Sequence, residues 1–188
     1  MKKLFIFFMI MICIVAIHGQ QTDSNQVEKL NVQKIQEKVA KTQLFNSPKI
    51  KYYNIKLSQL TNFLDTFDKE TAQKAINSLV QAMNFVSTDR MVFIALCKEN
   101  TVADFYQFYL NFMKEKDKKQ TSLKSCEAKE INDSQILFIK TYELKEKQHT
   151  VYVFLAKQDN MFIETIVTNG EYQTSDFEEF SKEIFSIK

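Results

Sequence analysis

The sequence predicts an α+β fold, an antiparallel β-sheet with helices packed on it, and three observations point there. Residues 122–168 contain four strand-like runs separated only by short polar turns, the pattern of a meander. Residues 91–97 are an uninterrupted apolar run of seven, the mark of a strand buried on both faces. Around these lie segments whose apolar side chains recur at the helical period, the clearest over 69–84, 102–116 and 177–187.

Taken in order, Lys2 and Lys3 precede an apolar run over 4–17, which closes on His18 and Gly19. This is the three-part plan of an export signal. The run is shorter than the roughly 20 residues a membrane-spanning helix requires, so residues 1–19 read as a cleaved signal peptide, with an uncleaved anchor as the alternative. Asp23 and Gln26 form a candidate capping box for a helix whose apolar stripe, Val27, Leu30, Ile35 and Val39, is sparse. Residues 20–47 are therefore expected to be a peripheral helix and linker, and 48–188 a single α+β domain. Ile50, Tyr52 and Tyr53 begin an alternating strand over 50–57, Ser58 caps a short helix over 59–64, and Asp68 caps a longer one over 69–84.

Thr101 is the predicted cap of the helix over 102–116. Its apolar residues spread over an arc of roughly 200° at 100° per residue, wider than one sheet surface covers. Either a second element packs outside it, the N-terminal helix being one choice, or part of it lines a pocket. Phe105, Tyr106, Phe108, Tyr109 and Phe112 are the candidate ligand-binding residues on that reading, and core packing is the plainer one. Strands then follow over 122–131, 135–145, 150–157 and 161–168, and Ser175 with Glu178 reads as a capping box for a closing helix.

The order of these elements resembles the PsbP/DcrB-like α/β/α sandwich, above all in its ending. There the strand run Val151, Val153 and Leu155, a turn, the strand starting at Phe162, and the Phe177, Phe180, Ile184 helix follow one another. The resemblance spans residues 50–188 and implies a non-enzymatic binding or assembly module, often exported, with no catalytic residues to carry over. A cystatin-like or NTF2-like curved sheet is the alternative fold.

Composition excludes several chemistries. Only Gly19 and Gly170 are glycines, so phosphate-cradling loops are excluded. Lys2 and Lys3 are two of 25 basic residues, which leaves 23 against 23 acidic ones beyond the signal, and nothing supports a nucleic-acid surface. His149 is the one histidine past residue 18. It falls in a polar stretch read as a hairpin tip, so a Ser-His or Cys-His mechanism has little to draw on. The chain has no CxxC, HxxxH or DxDxDG spacing, so neither a metal nor a cofactor is expected.

Cys97 and Cys126 are the cysteines beyond the signal. In an oxidising compartment such a pair reads most simply as a disulfide, which would stabilise the fold by about 3–4 kcal/mol through closure of a loop of about 30 residues. Two buried thiols are the alternative. Asn132-Asp133-Ser134 is the sole Asn-x-Ser/Thr sequon and makes Asn132 a candidate glycosylation site. The expectation is a secreted or secretory-lumen protein, without a stable membrane span after cleavage, that binds an apolar ligand or a protein partner. A structural or cargo protein of a secretory compartment and a hydrolase with an unrecognised site are the alternatives.

Overall fold

The computed structural model describes residues 30–46, 49–60, 66–168 and 170–187. The predicted signal, the Asp23–Gln26 box and most of the helix expected over 59–64 lie outside them. The elements are α1 (Val32–Lys41), β1 (Lys51–Ile55), a 3-10 turn (Leu57–Gln59), α2 (Lys69–Asn77), β2 (Leu79–Val86), β3 (Arg90–Cys97), α3 (Val102–Lys118), β4 (Leu123–Asn132), β5 (Gln135–Leu144), β6 (Lys147–Gln158), β7 (Met161–Thr168) and α4 (Thr174–Phe185). The strands form a seven-stranded antiparallel sheet in the order β1-β2-β3-β7-β6-β5-β4. The α+β class read from the sequence is the class observed.

Helices cover both faces. α2 and α3 lie on one, over Ala82, Phe93, Ala95, Phe138, Val153, Leu155 and Phe162. α1 and α4 lie on the other, over Phe85, Val92, Ile94, Phe154 and Ile163. The central strands are apolar on both sides for this reason, and β3 and β7 read as continuous buried runs. After β3 the chain crosses by α3 to the far edge, lays down β4, and returns through the meander until β7 pairs with β3.

Three local expectations change. The helix expected over 69–84 stops at Asn77, where Ser78 turns the chain through its backbone and hydroxyl bonds to Ala75. Leu79–Val86 is instead the strand β2, buried along most of its length between β1 and β3. Leu79, Val80 and Met83 continue the helical period, but strand pairing on both edges outweighs that local preference. The N-terminal helix is not peripheral, since Ile35 and Val39 are fully buried and Leu44 and Phe45 nearly so. Its two buried stripe residues, Ile35 and Val39, join the cluster formed with α4 and the sheet face beneath it. The capping box of α4 is formed by Gln173 and Asp176, not by Ser175 and Glu178.

Cys97 and Cys126 are free thiols, one buried and one exposed. They lie on β3 and β4, with β7, β6 and β5 between them. Four inter-strand spacings place them about 19 Å apart, far beyond the reach of about 7 Å that a disulfide tolerates. The expected crosslink is therefore corrected: sequence separation permits it and sheet order forbids it.

Candidate functional site

The aromatic helix α3 lies across β5, β6 and β7. Phe105, Tyr106, Tyr109 and Phe112 are buried against the sheet, and Phe162 at the centre meets three of them, edge-on to Phe105 and Tyr106 with ring centroids 5.2 Å and 6.2 Å away and tilted against Tyr109 at 4.9 Å. Phe108, on the next row round the helix, meets Phe67 at 5.0 Å. The wide arc thus has two surfaces to satisfy, the sheet beneath and the segment entering α2 beside it. The N-terminal helix plays no part, being on the opposite face.

Under α3 lies a polar cluster that the sequence did not advertise. Tyr109 Oη donates to Glu164 Oε2 at 2.8 Å, and Glu164 is 1% exposed. Burial raises the Glu164 carboxyl, while the Tyr109 hydroxyl and the nearby Lys116 and Lys140 ammonium groups pull it back. Tyr109 is pushed well up by burial and by that carboxylate. Lys140, also 1% exposed, places Nζ 2.7 Å from Asp117 and 5.6 Å from the Phe138 ring. Lys116 sits 5.0 Å from the Phe112 ring, and burial lowers its ammonium. Glu164 and Lys140 are buried and Asp117 is partly open to solvent at the cleft; these groups hold α3 to the sheet, each buried charge having an opposite partner or a hydroxyl. Glu164 and Lys140 are the polar positions in otherwise apolar strand alternations, and that interruption is the one sequence signal that could have found them.

Beside this cluster an open cleft of about 680 Å³ is lined by Thr66, Phe67, Asn111, Lys114, Phe138 and Cys126, among others. It runs between the outer side of α3 and the β4–β5 surface. Cys126 stands exposed on its wall, and burial raises its thiol. Cys97 lies in the core with its thiol pushed up to about 12 by burial. The chain has no family model that matches it. No curated protein matches it either. The extracellular domain of PknH from Mycobacterium tuberculosis is similar to it in structure, at a TM-score of 0.45 and 9% identity over 84% of this chain and 91% of that one. A likeness so remote carries nothing about activity.

His149 is in β6 opposite Tyr142, half-buried, and not in the hairpin tip. The turn is the two residues Lys145 and Glu146, both at positive φ, so the strand starts earlier than the polar stretch suggested. Asn132 ends β4 in an exposed turn, its Oδ1 accepting from Ser134 N at 2.8 Å. Among the described residues no three His, Cys, Asp or Glu side chains gather as a metal site, and no helix is long and apolar enough to cross a membrane.

A second polar knot lies on the opposite face. Arg90, the single arginine, donates through Nη1 to the carbonyls of Leu44 and Phe45 and through Nη2 to Tyr172 Oη at 3.1 Å. It fastens the end of α1 to the segment before α4.

Proposed function

We propose that this chain is a secreted or secretory-lumen, non-enzymatic module of PsbP/DcrB-like arrangement that binds an apolar ligand or the apolar side chain of a protein partner in the cleft beside α3. The observation that carries this reading is the cleft itself, open to solvent yet floored by Phe138 and walled by Phe67. Binding sites are concave and mostly apolar, with a few polar groups at the rim; here Asn111, Lys114, Glu115, Asp117 and Lys118 of α3 supply a charged rim around the two phenylalanines. The apolar leader over 4–17 supports export, and helices on both faces of the sheet support the proposed family likeness. The buried Tyr109–Glu164 and Lys140–Asp117 groups hold the helix that forms one wall.

The test is titration of the chain from residue 20 onward with a hydrophobic dye and a fatty acid. Uptake by the native protein is expected to be saturable, and Asn111→Trp, which fills the cleft from an exposed helix position, is expected to weaken it about tenfold, equivalent to about 1.4 kcal/mol. A native protein that neither saturates with either probe nor captures a protein partner overturns the reading.

A further inference from the structure

The two edges of the sheet are built differently. β1 is five residues long, and a short edge offers little to pair with. β4 is ten residues long, and its residues from Lys124 to Glu130 are exposed on both faces, beyond the reach of the helices that bury its neighbour β5. Register shifts occur between Leu123 and Ser125 and between Glu130 and Asn132, so the regular stretch of β4 is residues 125–130.

The charges on that stretch are arranged for self-recognition. Glu127 and Lys129 point to the same face, opposite Ile139 and Leu137. Their charged groups are 3.6 Å apart, and the side chains are 63% and 47% exposed. A second copy placed antiparallel against the edge, with Ala128 on the two-fold axis, brings Glu127 of each copy opposite Lys129 of the other. Each pair is a directly opposed cross-strand ion pair, and with the contacts along each strand the four charges alternate in sign. On the other face the axis passes between two alanines, the smallest side chains that still favour no turn, and Cys126 meets Glu130 of the second copy. Isologous pairing of this kind is the commonest way that chains self-associate. A like-charged edge would repel its copy, whereas this one would set opposite charges against each other.

We propose that β4 is a homodimerisation edge, pairing antiparallel with β4 of a second copy about Ala128 to make one continuous sheet. The proposal does not depend on the cleft, because Glu127 and Lys129 face away from it. Sedimentation of the chain from residue 20 onward is expected to show a dimer at tens of micromolar. Glu127→Lys and Lys129→Glu each set like charges opposite one another and are expected to weaken the dimer about tenfold or more. The double variant Glu127→Lys/Lys129→Glu restores opposite signs and is expected to recover it. In a Cys126→Ser background, Ala128→Cys places two thiols at the axis and is expected to crosslink two chains under mild oxidation. Far-ultraviolet circular dichroism confirms that each variant is folded, and all four substitutions are at exposed positions. A native chain that stays monomeric at hundreds of micromolar, single variants as dimeric as the native chain, or a double variant no better than the singles overturns the proposal. Loss of dye binding with the dimer intact would instead tell against the cleft alone.

Discussion

Glu164 carries a pH dependence whose sign follows from its surroundings. Its carboxyl is raised in the folded chain, chiefly by burial, so above the unfolded value the folded state binds more protons than the unfolded one. The contribution is full below the unfolded value and is lost as pH rises through the folded one. Glu164→Gln is therefore expected to gain stability relative to the native chain between mildly acidic and neutral pH, as the difference between two urea midpoints. Tyr109→Phe removes the hydroxyl that the carboxylate accepts from and is expected to cost about 1–3 kcal/mol at neutral pH. Asp117→Ala leaves the buried Lys140 ammonium unpaired, at about 3 kcal/mol. Lys140→Met costs less than that, because Asp117 is 18% exposed and water takes up its charge. The cysteines give a further reading at this scale. In the chain from residue 20 onward Cys126 is expected to react with a maleimide in the folded state and Cys97 only after denaturation; if neither reacts even in denaturant, the sheet order that separates them is overturned.

Turns and caps settle individual elements. Lys145 and Glu146 both hold positive φ, which costs an L-residue about 1 kcal/mol or more each. Replacing them by Asn-Gly, the pair such a two-residue turn favours, is expected to raise stability by about 1–2 kcal/mol in chemical denaturation. Gly170, at φ 153°, shows the opposite case: a Cβ there would lie 2.6 Å from the Tyr172 ring. Gly170→Ala is expected to destabilise the protein and to shift Tyr172 away from Arg90, loosening the grip on Leu44 and Phe45. Limited proteolysis between α1 and β1 should then quicken. α2 ends after nine of its sixteen expected residues because Leu79 to Val86 find partners on both edges, and no property of those residues taken alone forces that outcome.

At the scale of the molecule, the meander, the buried strand and the aromatic helix were legible in the sequence because each is a local pattern. Alternation fixes a strand's two faces and the 3.6 period fixes a helix's buried side. The closing helix was legible for the same reason, through Phe177, Phe180 and Ile184, all buried against the sheet. The Tyr109–Glu164 and Lys140–Asp117 contacts span 55 and 23 residues of chain, so a single polar letter in an apolar strand was the limit of what could be read. A pocket along the aromatic helix was foreseen, but none of Phe105, Tyr106, Phe108, Tyr109 and Phe112 lines the cleft, since its walls come from elements that only the tertiary structure brings together.

Local order was the sequence's own: the alternating strands of the meander, the buried run of β3, and that helices would pack on an antiparallel sheet. Strand order belonged to the tertiary structure. It sent Cys97 and Cys126 to strands with three others between them, turned a continued helical period into β2, placed α1 in the core, and left β4 at an uncovered edge. Hydrophobic periodicity is set by near neighbours, whereas the neighbours of a strand are chosen by how the whole sheet closes its hydrogen bonds and buries both faces.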